Sequence, residues 1–152
     1  MVTAIHDARP HVSIECLGIR ADALVDTGAS RSLCSYQFYR RIQQRSHGLT
    51  TLQRASPLVT ITGEPLKVRG QLKIWINGNI EIQVSVIEDL PISILIGNDT
   101  LSKYKGQLNY ERQCLILRGA VFKFKGDSQD KTMCAIGDTL IATDDKRIHR
   151  LI

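Results

Sequence analysis

The chain has 152 residues, 43% of them hydrophobic, which suits one domain with a substantial core. No apolar run approaches the roughly 18 residues needed to span a bilayer, and Met1 to Pro10 lacks the apolar centre of a signal peptide, so a cytoplasmic location is expected. The formal charge of +5 is scattered, densest at Lys146-Arg147-Ile148-His149-Arg150, which describes a solvated surface and argues against nucleic-acid binding.

Period-two alternation bounded by Gly, Pro, Asn and Asp dominates the chain and predicts many short strands. His11 to Cys16 alternates cleanly, Gly18 turns the chain, and Ile19 to Val25 forms the second arm of a hairpin. Tyr36 to Gln44 suits a short helix, and Thr50 to Thr62 reads as loop followed by strand. Pro65 to Ile76 and Ile80 to Ile87 are two long strands joined by Asn77-Gly78-Asn79, a strong hairpin signal.

Ile92 to Ile96 is a continuous apolar run, read as a buried strand. Beyond Gly97, Asn98-Asp99-Thr100 offers capping chemistry for a short helix reaching about Tyr104. Strands follow near Gln107 to Tyr110, Gln113 to Leu117 and Ala120 to Phe124. The division is a domain over 1–125 and a C-terminal extension over 126–152. In the extension, Gly126 to Lys131 reads as a linker, Thr139 to Ala142 as a strand, and Asp144 to Ile152 as a short helix capped by Thr143. Docking on the domain, entry into a dimer sheet and partial disorder all stay open for this tail.

Cys16, Cys34, Cys114 and Cys134 are too far apart for a zinc site or a small disulfide framework, and are expected to be reduced and mostly buried. No metal and no cofactor is expected. The stretch with chemical content is Ala23-Leu24-Val25-Asp26-Thr27-Gly28-Ala29, where an apolar strand ends on a carboxylate followed by a hydroxyl and a glycine. Such a placement holds an Asp in a poorly solvated cleft. About seventy residues on, Ile94-Leu95-Ile96-Gly97 repeats the pattern of apolar strand and glycine, and between the two lies Leu66-Lys67-Val68-Arg69-Gly70.

These three motifs, in this order, resemble the retropepsin-like aspartic proteases of retroviruses and long-terminal-repeat retrotransposons, over about Arg9 to Phe124. The resemblance implies an all-β, retropepsin-like acid-protease β-barrel with one or two short helices, active as a homodimer because the chain carries a single Asp-Thr-Gly. It looks closer to the gypsy-like retrotransposon branch. Gly63 is alone in its flap, followed by Glu64-Pro65, and Asn98 and Ser30 stand where many retroviral relatives have an Arg–Asp pair. That joint replacement implies a different internal brace.

By the same resemblance, Asp26, Thr27 and Gly28 are catalytic. The two Asp26 carboxylates of a dimer would share one proton and activate a bridging water, while Thr27 would hydrogen-bond across the dimer axis. Ala29, Ser30, Thr62, Gly63, Glu64 and Ile94 would contact an extended peptide or polyprotein substrate, with Thr62-Gly63-Glu64 as the tip of a closing flap. Leu33, Leu58, Ile61, Leu66 and Ile94 would wall the pockets, and Arg31 would reach the outer ones. The implied task is processing of a Gag-Pol-type polyprotein, in the cytoplasm or in a virus-like particle, without membrane contact. The competing expectations are a non-catalytic dimerisation or peptide-binding module, a cellular retropepsin-like protease, and, last, a hydrolase built on Cys34.

Overall fold

The computed structural model describes residues 9–45, 51–60 and 62–126, and the backbone of 5–6, 132–133, 140–144 and 147–149. The strands in chain order are β1 (Ile5–His6), β2 (His11–Cys16), β3 (Ile19–Val25), β4 (Ser32–Ser35), β5 (Leu58–Thr60), β6 (Val68–Ile76), β7 (Ile80–Ile87) and β8 (Ile94–Ile96). They continue with β9 (Gln107–Asn109), β10 (Cys114–Leu117), β11 (Ala120–Lys123), β12 (Thr132–Met133), β13 (Leu140–Asp144) and β14 (Arg147–His149). Two helices interrupt them, α1 (Tyr36–Arg45) and α2 (Asn98–Lys103). Among the described residues, no helix is long and apolar enough to cross a membrane.

The hairpins follow the expected chemistry. Leu17 and Gly18 adopt φ values of 52° and 81° between β2 and β3, and Asn77 and Gly78 take 48° and 84° between β6 and β7. Such left-handed pairs match the twist of the strands they join. The Ser35 hydroxyl accepts from the backbone N–H of Phe38 at 3.0 Å, capping α1, whose Phe38, Tyr39 and Ile42 are buried.

The central sheet has the order β2-β3-β8-β4-β7-β6. β3 and β4 are consecutive in the chain yet not neighbours, because β8 lies between them, parallel to β3 and antiparallel to β4. The loop from Asp26 to Arg31 therefore has to pass over the end of β8. β8, β4 and the last three residues of β3 are buried on both faces, so Ile94–Ile96 reads as a continuous apolar run rather than an alternating one. Smaller sheets are β11-β10-β9, β1-β12 and β14-β13-β5.

One face of the central sheet contributes to the main core, which holds Val12, Ile14, Ala23, Val25, Ile94, Ile96 and Leu115. A second, smaller cluster of Leu24, Ala29, Leu33, Leu58, Ile87 and Leu95 lies with Leu66 partly buried against it. Cys16, Cys34 and Cys114 are buried and free, and Cys134 lies outside the described residues.

The tail departs from its expected form. The strand foreseen over Thr139 to Ala142 is β13, but the helix foreseen over Asp144 to Ile152 is replaced at Arg147–His149 by β14, which pairs Asp144 with Arg147 and Ala142 with His149. Ile141, Thr143 and Ile148 are β-branched and favour a strand, and β5 supplies β13 with an edge to bond. The linker over Gly126 to Lys131 lies outside the described residues apart from Gly126, which is exposed.

Candidate active site

Asp26 follows the last residue of β3, and its backbone N–H donates to the Ile96 carbonyl of β8 at 2.9 Å. The loop then tightens. Ala29 N–H donates to the Asp26 carbonyl at 3.1 Å, and Asn98 N–H donates to the Ala29 carbonyl at 2.7 Å. Asp26 as a whole is only 6% exposed. Its Oδ1 accepts from the Gly28 N–H at 2.9 Å, and its Oδ2 accepts from Arg9 Nη1 at 2.8 Å. Burial of a charge requires such partners. Arg9 is brought there by the neighbouring backbone, where Val25 N–H donates to the Pro10 carbonyl at 2.9 Å.

Beside this buried carboxylate, Thr27 is exposed. It borders a surface hollow of about 470 Å³ lined also by Asn98, Leu101, Ser102 and Leu108. Ala29 is fully buried, and the Ser30 hydroxyl is buried with no hydrogen-bond partner among the described residues.

Gly97 is required by close approach. A Cβ there would fall 2.5 Å from the Arg31 carbonyl oxygen and 2.9 Å from that of Ala29. The glycine thus lets the Asp26 loop lie directly on the end of β8. A hydroxyl-carboxylate knot fastens the loop from the other side. Ser32 Oγ accepts from the Gly97 N–H at 2.9 Å and donates to Asp99 Oδ1 at 2.7 Å. Asp99 Oδ2 accepts from the Ser32 N–H at 3.1 Å, and Thr100 Oγ1 lies 2.8 Å from Ser32 Oγ. This is the internal brace that Asn98 and Ser30 do not form. It also corrects the capping expectation: Gly97 is the N-cap of α2 with no side-chain capping bond, and Asp99 in the first turn is turned towards β4.

Above the site stands a hairpin built on β5. Thr60 N–H donates to the Glu64 carbonyl at 2.9 Å, Gly63 N–H donates to the Thr60 carbonyl at 2.8 Å, and Leu66 N–H donates to the Leu58 carbonyl at 2.9 Å. Gly63 turns the tip at φ 91°, with Thr62, Gly63 and Glu64 all exposed. Leu58 packs in the same small cluster as Ala29, Leu33 and Leu95, so the hairpin root covers the residues just after Asp26.

Of the expected pocket walls, Leu33, Leu58 and Leu66 meet in that cluster, while Ile61 lies outside the described residues. Ile94 does not join them. It is fully buried in the main core, and its neighbour Leu95 faces the hairpin root. A one-residue step along a strand reverses the face, and a run of apolar residues gives no sign of which face is which. Arg31 lines a polar cavity of about 250 Å³ with Asp99, Glu81, Gln71 and Lys103. Arg9 was missed, since nothing in an isolated Ala8-Arg9-Pro10 stretch marks it as the partner of Asp26.

Cys34 offers no rival chemistry. It is fully buried, its Sγ donates to the Ser35 carbonyl at 3.4 Å, and burial, assisted by the nearby Cys16, pushes its thiol up to about 12. The thiolate needed for attack is withheld.

A β3–β8–β4 crossing with a buried carboxylate at its head and a hairpin rooted beside it makes an all-β arrangement. More particularly, the chain has the all-β retropepsin-like fold, as two solved structures demonstrate. The crystal structure of the retroviral protease-like domain of Ddi1 from Leishmania major matches with a TM-score of 0.63 and 21% identity, covering 81% of this chain and 95% of that one. The EIAV protease complexed with the inhibitor HBY-793 matches with a TM-score of 0.54 and 20% identity, covering 68% of this chain and 94% of that one. No protein-family model and no curated protein matches the sequence.

Proposed function

We propose that this chain is an aspartic endopeptidase that works as a homodimer on an extended peptide. The observation that carries this reading is the placement of Asp26. It is a carboxylate at the head of a buried strand, oriented by the Gly28 N–H and set beside an exposed Thr27 at a surface hollow. A second copy apposed there would bring Asp26 of the partner subunit opposite this one. Two like charges so close cannot both ionise, so one proton is shared (aspartic proteases are the standing example of this rule).

The ionised carboxylate takes a proton from the bridging water as the water oxygen attacks the scissile carbonyl carbon. The protonated carboxyl donates to the carbonyl oxygen, giving a neutral gem-diol. Collapse of that intermediate breaks the C–N bond, with a proton delivered to the leaving nitrogen. Thr27, Gly28 and Ala29 shape the floor, and the Ser30 hydroxyl, without a hydrogen-bond partner among the described residues, suits a substrate backbone group. Thr62-Gly63-Glu64 closes from above, and Leu33, Leu58, Leu66 and Leu95 favour apolar residues beside the cleaved bond. The lone flap glycine and the replacement of the Arg–Asp pair by Asn98 and Ser30 support a gypsy-like retroelement type, and with it a retroelement polyprotein as the substrate class.

A second reading, a non-catalytic peptide-binding module, is favoured by the ion pair that Arg9 makes with Asp26. The deciding experiment is cleavage of a hydrophobic-junction peptide library at mildly acidic and neutral pH. It would be run beside Asp26→Asn and with an aspartic-protease transition-state inhibitor. Activity that is inhibitor-sensitive, absent in the variant and lost on dilution is the expected result. A well-folded dimer that cleaves nothing would count against the endopeptidase and favour the binding module, or a protease missing its partner or native termini.

A further inference from the structure

The edge of the flap strand is already occupied by the chain itself. On one side β5 bonds its own hairpin through the bridge of Val59 with Pro65. On the other it pairs antiparallel with β13, in the register Leu140 with Thr60, Ile141 with Val59 and Ala142 with Leu58. Neighbouring strands lie about 4.8 Å apart. Leu58 packs with Ala29 immediately after the Asp26-Thr27-Gly28 triplet. β13 is therefore the next strand out from one that touches the floor of the site.

Leu58 and Thr60 bond towards the hairpin, so without β13 the outer edge of β5 would present the N–H and C=O of Val59, an anchor for an extended peptide. The pairing segment Leu140-Ile141-Ala142-Thr143-Asp144 contains neither Pro nor Gly and is largely apolar. Eighty residues separate it from Thr60, and its described backbone neighbours are β5 and β14 alone. An element held by so few strands can be displaced without opening the core.

We propose that Leu140–Asp144 is a built-in competitor for the flap edge: it fills that edge in cis and has to leave before an extended peptide from another molecule can pair there. The occupancy follows from strand register alone, and only its consequence for turnover rests on the protease reading. Tethering gives the segment a high local concentration, so an incoming peptide binds in proportion to the small fraction of molecules whose edge is open.

The test uses the full chain carrying Asp26→Asn, which prevents turnover, with and without the double change Ile141→Pro/Ala142→Pro. Successive residues of an antiparallel strand point their N–H groups to opposite sides. Two adjacent prolines thus remove a donor towards β5 whichever register parity holds. Amide exchange of Val59 reads the pairing, because the Thr60 N–H is bonded to Glu64 within the hairpin, with Thr60, β6 and β7 amides as the folding control. Anisotropy of a labelled Thr139-to-Asp145 peptide reads the competition.

The expected result is lost protection at Val59, retained protection at Thr60 and in β6 and β7, and peptide binding tighter on the order of tenfold in the proline variant. Equal exchange in both proteins would overturn the pairing. Lost protection with equal peptide affinity would overturn the competition. Neither readout depends on catalysis, so a chain that proves inert in the cleavage assay leaves this test standing. If the chain does cleave, the proline change in the Asp26 protein lowers KM and leaves kcat unmoved.

Discussion

Arg9 Nη1 lies 2.8 Å from Asp26 Oδ2, so the carboxylate expected to face its twin is neutralised within its own chain. The pair is largely out of water, with the Asp26 side chain 8% and the Arg9 side chain 24% exposed. A shared-proton dyad and this ion pair are alternative ways of accommodating the same buried charge. On the proposed dimeric reading, apposition of two Asp26 side chains would displace Arg9. Arg9→Ala is predicted to shift the monomer–dimer equilibrium towards dimer about 5- to 30-fold, equivalent to roughly 1–2 kcal/mol. Sedimentation and cleavage rates across a dilution series measure it, and an unmoved dilution midpoint in both would end the idea.

The Ser32 hydroxyl, fully buried, accepts from the Gly97 N–H and donates to Asp99. Ser32→Ala leaves a buried N–H without an acceptor and takes a donor from a carboxylate. A loss of about 2–3 kcal/mol is predicted, since an orphaned buried group costs its desolvation in full. Urea unfolding of the variant measures this, and a loss below about 0.5 kcal/mol would show that the knot does not fasten the loop.

How much of this was legible in the sequence depends on how local each signal is. The β2–β3 and β6–β7 hairpins are written in alternation and in turn residues that accept φ above zero, and both emerge at the expected turns, with β6 beginning at Val68 rather than Pro65. The Asp26 motif and Gly97 were legible as a pair because both end apolar strands, and β3 and β8 do lie side by side. Three features were not legible. Which face Ile94 and Leu95 take depends on sheet register, Asp99 as a brace depends on Ser32 arriving from another strand, and the form of the tail depends on an edge offered by β5. Each is a contact across long sequence separation, to which local propensity is blind.

Gly97 and Gly63 should respond differently to alanine. At Gly97 the added Cβ meets two backbone carbonyl oxygens inside 3 Å, neither of which can move without shifting the Asp26 loop. A cost of about 1–3 kcal/mol is predicted, with cleavage lost alongside stability. At Gly63 the space is open and only the left-handed backbone objects, so Gly63→Ala costs about 1 kcal/mol and acts on the tip of the β5 hairpin. Thermal unfolding of the two variants side by side checks the ranking, and a Gly97→Ala protein as stable as the parent would contradict the close packing of the loop on β8.

Cys34 makes stability fall at alkaline pH. Its thiol is pushed from an ordinary 9.0 up to about 12, and that of Cys16 up to about 11, chiefly by burial. Below the unfolded value both states keep the proton and no stability depends on it. Between that value and the folded one, the unfolded chain releases its proton while the folded chain retains it, so rising pH favours unfolding. Each pH unit inside the window costs about 1.4 kcal/mol per thiol. Between about pH 8 and about pH 10, the parent should therefore lose about 1.4 kcal/mol more than Cys34→Ala in urea unfolding. Identical losses would mean that the thiol ionises freely in the fold. The same withheld ionisation predicts that iodoacetamide at neutral pH leaves native Cys34 unmodified and peptide cleavage intact, whereas activity lost together with Cys34 alkylation would return the thiol to the mechanism.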